Sequence, residues 1–285
     1  MNRIKNTTNP KEVVLTVFKY LFICALAVTT VTPFLWMLSS SFKFDREVFQ
    51  VPMYWIPKVF RWENYVEIFK QITFGRFYFN TLKIASLVTL LQLTTSSMAA
   101  FAFTKLKFPG RKGIFSLYLC TLMVPAQVIL IPQFIIIKNL GLFNNHLSLI
   151  LLAAFSPFGV FMLTQFFRGI PSTLLEAAKI DGANVFMMYY KIVVPLAMPA
   201  MSALAIMTFI GQMNDFMNPM IYINDVHLRT ITLGIRMFAT ENTAQTSLQM
   251  AATVCALFPV IVVYVFAQEQ IIRGIAFNGG AGVKG

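Results

Sequence analysis

Residues 170–183 read Ile-Pro-Ser-Thr-Leu-Leu-Glu-Ala-Ala-Lys-Ile-Asp-Gly-Ala, and residues 192–196 read Ile-Val-Val-Pro-Leu. Long apolar stretches precede and follow this segment, whereas its first half carries charged and small side chains. A polar segment between two membrane-spanning stretches lies outside the hydrocarbon core, because lipid cannot satisfy its polar groups. The segment therefore predicts a short structured connector that lies against the membrane face.

The connector is predicted to begin with a helix that ends at Gly182. Pro171 suits the first helical turn, where its missing N–H removes no hydrogen bond. Thr173 and Glu176 have the spacing of a capping box, and Ser172 is a competing N-cap. Gly182 is a natural C-terminal stop, because glycine enters the left-handed backbone region at little cost.

A second helix is predicted to run from Val185 into the next span, with Asn184 as its N-cap. In the first helix and its turn, Ala177, Ala178 and Gly182 leave little side-chain bulk. A partner surface could approach such a face closely. An ordinary amphipathic connector between two spans is the alternative interpretation of the same residues.

Composition places the chain of 285 residues in the membrane class. Hydrophobic residues make up 57% of it and charged residues only 12%, whereas about 25% of the residues of soluble domains are charged. The mean hydropathy of +0.69 agrees with this assignment. The net charge of +12 is spread over loops between apolar runs, which favours anchoring charge at the cytoplasmic face over nucleic-acid binding.

The cysteines and histidines predict neither a disulfide framework nor a metal site. Cys24, Cys120 and Cys255 each lie inside an apolar run, where a free thiol behaves as a small hydrophobic side chain. His146 and His227 are isolated in connecting segments, with no second ligand nearby in the sequence. We therefore expect no bound cofactor or metal.

Six apolar runs predict an all-α integral membrane protein with six transmembrane helices. The first run is longer than the ~7–15-residue apolar core of a signal peptide. None of the six runs contains Asp or Glu. The expected spans cover residues 13–38, 81–103, 114–137, 147–167, 192–213 and 248–267.

Lysine and arginine counts predict the orientation. Six spans leave both termini on one side, and that side carries 13 of the 23 Lys and Arg residues. The other ten lie mostly in the long segment 41–77, where each charge counts for less. We therefore expect a cytoplasmic N-tail over residues 1–12, a cytoplasmic loop with the connector helix over residues 168–191, and a cytoplasmic C-tail over residues 272–285. The transmembrane domain would cover residues 13–271.

Polar residues in or beside the apolar runs are candidates for a solute pathway. Gln127 and Gln133 lie in the third run, which two prolines are expected to kink, and broken or kinked helices often line pathways. Asn214 and Asp215 follow the fifth run. Each of these side chains could equally make an interhelical hydrogen bond, and that alternative is favoured.

The connector resembles the Glu-Ala-Ala signature loop of permease subunits in ATP-binding-cassette importers, and more closely the maltose-type carbohydrate branch. The match runs from Glu176 through the two alanines and the Asp-Gly-Ala triplet to Pro195. Residues 55–57 (Trp-Ile-Pro) and 63–65 (Glu-Asn-Tyr) also resemble that branch. The chain departs from it at residues 212–213 (Gln-Met), where the family commonly has tryptophan.

The resemblance implies that the chain forms half of a transmembrane channel and couples to an ATPase through a set of connector residues. Those residues are Glu176, Ala177, Ala178, Asp181, Gly182, Ala183 and Pro195. The implied partners are a second homologous permease subunit, two cytoplasmic ATPase subunits that bind the ATP, and an extracytoplasmic solute-binding protein. The implied substrate is a carbohydrate, expected to be an oligosaccharide, and the implied location is a bacterial inner or plasma membrane. No nucleic-acid partner is expected.

Two other functions are alternatives for the same residues. A stand-alone secondary transporter would use intramembrane acids or broken repeat helices for ion coupling, and the absence of Asp and Glu from the six runs argues against proton coupling. A membrane-embedded enzyme would need a cluster of acids, His or Cys, and Asp215 stands far from such residues in sequence. The chain also lacks a Gly-x-x-x-x-Gly-Lys-Ser/Thr loop, so it is not expected to hydrolyse ATP itself.

Overall fold

The fold is built almost entirely of helices, in a computed structural model that describes residues 10–71, 73–240 and 243–280. The helices are α1 (Pro10–Ser40), α2 (Asp45–Val48), α3 (Glu63–Gln71), α4 (Phe74–Lys105), α5 (Arg111–Cys120), α6 (Ala126–Asn139), α7 (His146–Ala153), α8 (Pro157–Arg168), α9 (Ser172–Ile180), α10 (Val185–Met188), α11 (Val194–Leu196), α12 (Met198–Met213), α13 (Met217–Tyr222), α14 (Ile231–Met237) and α15 (Thr246–Gly280). Short 3₁₀ turns cover Thr121–Met123 and Val226–Leu228, and a π-helical segment covers Tyr189–Val193. Strands β1 (Ala239–Thr240) and β2 (Thr243–Ala244) form one small antiparallel ribbon.

Up to six segments of the described chain can cross a membrane. Four are apolar helical stretches of sufficient length: Val13–Ser40, Phe74–Lys105, His146–Arg168 and Thr246–Phe266. Two more are bent pairs, Arg111–Met123 with Ala126–Asn139 and Val185–Leu196 with Met198–Met213. When each bent pair counts as one span, the total is the six that the sequence predicts, and the all-α membrane fold is confirmed.

The third predicted span is broken much more sharply than a kink. Its two helices meet at an angle of 102°. Pro125 disfavours the helical region for the residue before it, and Val124 is accordingly extended, with φ −84° and ψ 117°. Helix α6 then restarts directly after Pro125, whereas Pro132 is accommodated inside α6. The two prolines therefore act differently, one as a breaker and one as a helix residue.

One compact unit comprises the described residues of the ranges 10–70 and 238–255. Its loop after α1 is organised by Asn64, which is 1% exposed. The Asn64 amide nitrogen donates to the carbonyl oxygens of Ser41 at 2.8 Å and Lys43 at 3.0 Å. The hydroxyl groups of Ser41 and Tyr65 also lie 2.7 Å apart. The Glu-Asn-Tyr match at residues 63–65 thus has a structural role in holding this loop.

Helix α15 is capped from a distant part of the same unit. The backbone N–H of Ser247 donates to Oδ1 of Asp45 at 2.7 Å. A carboxylate at this position satisfies one of the unpaired N–H groups of the first turn and complements the positive end of the helix dipole. The contact joins residues 202 positions apart, so it ties the polar loop to the start of the last span.

The other compact unit comprises the described residues of the ranges 71–237 and 256–280. Helix α4 packs along both α8 and α12, and Gly159 of α8 lies close to side chains of both α4 and α12. A Cβ at Gly159 would stand 2.6 Å from Oγ of Ser96 and 3.3 Å from Cδ2 of Leu204. The hydroxyl of Thr95 also donates to the carbonyl of Ala154 at 2.7 Å. Small residues and an interhelical hydrogen bond therefore hold the bundle together, as is typical of helices packed in lipid.

At both ends of the chain, the helices extend beyond the predicted spans. Helix α1 begins at Pro10, inside the predicted N-tail, and residues 1–9 of that tail lie outside the described residues. Helix α15 continues to Gly280, so the predicted C-tail over residues 272–285 is helical as far as the structure describes it. The predicted tail boundaries remain predictions.

Candidate coupling site

Helix α9 forms the first half of the connector, but its start differs from the prediction. Helix α9 begins at Ser172, and Pro171 occupies the N-cap position with an extended backbone and no side-chain cap bond. The predicted capping box of Thr173 and Glu176 is therefore wrong. The physical reason is register: Thr173 is the second helical residue, so its hydroxyl lies too far into the helix to act as the N-cap.

The end of α9 is the predicted stop at Gly182, and the structure confirms it. Gly182 has φ +83°, the left-handed region that only glycine enters without penalty. The N–H of Ala183 donates to the carbonyl of Ala178 at 2.9 Å, and the N–H of Gly182 donates to the carbonyl of Lys179 at 3.1 Å. These two bonds define a Schellman motif, so the direction in which the chain leaves α9 is set by backbone geometry.

The second half of the connector runs into the fifth span, as predicted. Oδ1 of Asn184 accepts a hydrogen bond from the N–H of Met187 at 2.8 Å, which confirms the predicted N-cap. The chain then passes through α10, the π-helical segment and α11, and it turns by 78° into α12. Pro195 lies in the first turn of α11, and Pro199 lies in the first turn of α12. The bend between them is centred on Ala197, which has φ −92° and ψ 2°.

Helix α9 is anchored to the bundle chiefly by one buried side chain. Leu175, at 9% exposed, is the buried residue of α9. It packs in a cluster that includes Phe167 and Ile170 from the chain before α9, and Met188 and Val193 from the chain after it. We call the chain that leads into α9 the first arm of the connector and the segment from α10 to α11 its second arm. Both arms therefore meet at the same core beneath α9.

The start of the connector is also tied to the end of α4. The Nζ of Lys105 donates to the carbonyl of Ile170 at 2.5 Å. This bond joins the basic turn after α4 to the residue that precedes Pro171. A cation placed on a carbonyl near the end of α8 complements the negative end of that helix. The connector and the basic turn thus lie at the same end of the bundle.

The predicted coupling residues form an exposed surface around α9. Glu176, Ala177, Asp181 and Gly182 are exposed, whereas Ala178 and Ala183 are half-buried and pack on the cluster below. Pro195 lies apart from this surface in α11, where its effect is on the shape of the second arm. Their role in coupling stays a prediction, because exposure alone does not identify a partner.

The connector also exposes apolar side chains. Ile180 is 88% exposed and Phe186 is 66% exposed, and Leu174 and Val185 are also exposed. A signal for Ile180 was present, because five helical positions place it about 140° around the helix from Leu175. An apolar side chain on the face opposite the buried one is a candidate contact with another protein.

Tyr189 joins the second arm to α4. The hydroxyl groups of Tyr189 and Ser97 lie 2.7 Å apart, and the Tyr189 ring centroid lies 5.4 Å from that of Phe101. Tyr189 is also the first residue of the π-helical segment. The sequence carries no signal that identifies Tyr189 as the partner of Ser97.

The pathway candidates are not gathered into one site. Gln133 accepts a hydrogen bond from the hydroxyl of Tyr222 at 3.3 Å, which is the favoured alternative of an interhelical bond. The Asn214 amide donates to the carbonyl of Ile210 at 3.0 Å within its own helix. Asp215 accepts two bonds from Asn218, from the backbone N–H at 3.2 Å and from Nδ2 at 2.8 Å. Gln127 is exposed in the first turn of α6, and the pathway role of all four stays a prediction.

No group of three or more His, Cys, Asp and Glu side chains in the described part of the chain could hold a metal ion. The connector combines a hydrogen-bonded turn at Gly182 with an exposed apolar and charged surface, which suits contact with another protein.

A family model matches residues 92–276, and its description is binding-protein-dependent transport system inner membrane component. The matched region includes α8, α9, the turn at Gly182 and the whole second arm of the connector. More than half of the chain is matched.

Similar proteins cover most of the chain. The diacetylchitobiose uptake system permease protein NgcG of Streptomyces coelicolor is 32% identical over 88% of this chain and 84% of its own length. The sn-glycerol-3-phosphate transport system permease protein UgpE of Yersinia enterocolitica is 34% identical over 81% of this chain and 85% of its own length. Among solved structures, a chain of a bacterial transporter for the import of alginate superposes with a TM-score of 0.82 at 20% identity, over 93% of this chain and 99% of that one.

Proposed function

The chain belongs to the family of binding-protein-dependent transport system inner membrane components, and on that basis we propose that it is a permease subunit of an ATP-driven carbohydrate importer. It would form half of the translocation channel, together with a second homologous permease subunit. The connector would dock in a groove of one of two cytoplasmic ATPase subunits, and an extracytoplasmic solute-binding protein would deliver the substrate. ATP hydrolysis would belong to the partner subunits.

The observation that carries this proposal is the surface of α9. Its buried side is fixed to the bundle through Leu175, while Ile180 on the other side is almost fully exposed. Glu176 and Asp181 flank Ile180 and are also exposed. This combination of a rigid helix, an apolar centre and charged surroundings matches the common anatomy of a protein interface.

The two arms of the connector would transmit the motion of the docked helix to the transmembrane helices. Closure of the ATPase pair would move the docked helix, and the capped turn at Gly182 would pass that motion to α10. The chain then runs through α11 and the 78° bend into α12, which packs along α4. ATP binding would thus bias a two-state transmembrane bundle at a distance, because the docked helix differs in position between the states.

The proposed orientation places the connector and both termini in the cytoplasm of a bacterial cell, with the chain in the inner or plasma membrane. The hydrogen bond from Lys105 to Ile170 supports it, because it joins two basic loops at one end of the bundle. Positive residues are concentrated in the cytoplasmic loops of membrane proteins. The same orientation gives a cytoplasmic ATPase access to α9.

The docking proposal is tested by Ile180→Glu. We expect the tagged chain, expressed together with its neighbouring genes, to co-purify with an ATPase, and we expect Ile180→Glu to reduce the recovered ATPase at least tenfold. Burying an unpaired carboxylate in an interface costs several kcal/mol, and about 1.4 kcal/mol already corresponds to tenfold. Because Ile180 is 88% exposed, the change leaves the chain's own packing intact.

The matched control is Ile56→Glu, an identical substitution at a side chain that is 75% exposed in the loop after α1. It should leave ATPase recovery unchanged. If the wild-type chain and Ile180→Glu recover equal amounts of ATPase, α9 is not the docking site. If the wild-type chain brings no ATPase under conditions that preserve other membrane complexes, a stand-alone secondary transporter becomes the better model.

The proposed substrate class is a carbohydrate, expected to be an oligosaccharide. NgcG belongs to an uptake system for diacetylchitobiose, whereas UgpE belongs to a transport system for sn-glycerol 3-phosphate. The two relatives therefore define the competing solutes. Deletion of the gene should abolish uptake of a labelled oligosaccharide and leave uptake of labelled glycerol 3-phosphate unchanged, with recovery on complementation. Loss of glycerol 3-phosphate uptake alone would overturn the carbohydrate assignment.

A further inference from the structure

A second polar site lies where the ends of α4 and α8 meet the start of α5. A cavity of about 170 Å³ opens there between the three helices. Its lining residues are Phe103, Thr104, Arg111, Lys112, Phe115 and Arg168. Three of the six carry a positive charge at neutral pH, and none of these lining residues is acidic.

The positions of the two arginines in this cavity are defined by their contacts. Nη1 of Arg111 donates to the carbonyl of Leu106 at 2.8 Å, a bond that uses one of the five N–H donors of the guanidinium group. The Arg168 guanidinium lies 5.7 Å from the centroid of the Phe115 ring, and its Nη1 donates to Gln165 at 3.4 Å. Both contacts hold charged groups at the cavity, and Lys112 adds an exposed ammonium group.

The cavity has one apolar wall, and α5 exposes further apolar side chains. The rings of Phe103 and Phe115 lie 5.2 Å apart between centroids. On α5, Ile114, one residue before Phe115, is half-exposed, and Leu117, two residues after it, is exposed. A ligand that combines an anionic group with long apolar chains would satisfy both parts of this surface, whereas a free phosphate would satisfy only the charged part.

We propose that this cavity binds the phosphate of an acidic phospholipid, with the acyl chains along the exposed face of α5. Basic pockets between membrane helices at the cytoplasmic side are suited to such headgroups. Arginine pairs with phosphate through several N–H groups at once, and lysine adds a point charge. The lipid would lie next to Arg168, four residues before α9 begins. A bound lipid would therefore contact the bundle beside the start of the connector.

The test compares phosphatidylglycerol with phosphatidylcholine on the full chain purified in mild detergent. Lipid retention by native mass spectrometry should show tight binding of phosphatidylglycerol and much weaker binding of phosphatidylcholine. Lys112→Gln and Arg168→Gln should each weaken phosphatidylglycerol binding about fivefold, as expected for one surface charge at an anionic lipid. Inorganic phosphate at millimolar concentration should not displace the lipid.

The matched control is Lys19→Gln, which removes one exposed charge near the predicted cytoplasmic end of α1 and lies outside the cavity. It should retain wild-type affinity. Equal affinity for the two lipids, equal losses in Lys19→Gln and the cavity variants, or displacement by inorganic phosphate would each overturn the proposal. Unfolding midpoints measured without added lipid show whether the variants fold. If Arg168→Gln does not fold, Lys112→Gln still tests the proposal, because Lys112 is exposed.

Discussion

Gly159→Val is expected to lower the stability of the membrane bundle by about 1–3 kcal/mol or to prevent folding, because it overpacks a filled interior. Even the first added carbon would stand 2.6 Å from Oγ of Ser96 and 3.3 Å from Cβ of the same residue. Rotation of the Ser96 hydroxyl relieves only the first of these contacts. The measurement is the thermal unfolding midpoint in detergent, together with the monodisperse fraction on size exclusion.

A double-mutant cycle separates this contact from a general effect of losing a helical glycine. Gly159→Ala should be destabilising alone and should be partly rescued by Ser96→Ala, because the rescue removes the clashing oxygen. Ser96→Ala alone should cost little, since Oγ of Ser96 is buried and has no hydrogen-bond partner. The control is Gly211→Ala in α12, where nothing lies within 4 Å of the added carbon. A wild-type midpoint for Gly159→Val would contradict the close approach of α4 and α8.

Gly182→Asp is expected to uncouple transport from ATP hydrolysis while leaving membrane insertion intact. The position has φ +83° and space for a side chain, with nothing within 4 Å of an added Cβ. Any penalty inside the chain is therefore limited to the backbone and to a negative charge at the C-terminal end of α9, about 0.3–1 kcal/mol for the charge. The larger effect would come from a carboxylate placed at the docked surface, and we expect solute uptake to fall at least tenfold.

Two further variants at the same position identify the cause. Gly182→Asn has the shape of the aspartate variant and tolerates the left-handed region, but it adds no charge, so it should keep most of the uptake. Gly182→Val strains the turn that directs α10, because β-branched residues rarely adopt positive φ, and it should also uncouple. Normal uptake by a stably expressed Gly182→Asp variant would refute a coupling role for the turn.

Local features of the connector could be predicted from the sequence because they depend on neighbouring residues. Gly182 acts through backbone hydrogen bonds and Asn184 through its side-chain oxygen, and these bonds span five residues or fewer; both predictions are confirmed. The start of α9 was predicted wrongly, because Pro171, Ser172 and Thr173 define three competing helix registers. In the structure Pro171 occupies the N-cap position. The number of spans also followed from the apolar runs, since length and hydropathy decide insertion.

Features that join distant segments could not be predicted in this way. The cap of α15 by Asp45, the bond between Ser97 and Tyr189 and the contact of Gly159 with Ser96 each depend on which helices pack together. The sharp break at Pro125 belongs to the same class, because Pro132 in the same run stays within a helix. A proline has the same local effect in both places, and its surroundings decide whether the helix ends.

The π-helical segment Tyr189–Val193 gives the second arm a property that a plain α-helix lacks. A turn of this kind holds one residue more than an α-turn, and such turns often occur at functional positions. An α-helix turns by about 100° and advances 1.5 Å for each residue. If the position of the extra residue moved along the second arm, the stretch between its old and new positions would therefore rotate by about 100° and shift by about 1.5 Å. Each backbone hydrogen bond in that stretch would re-form with an acceptor one residue away.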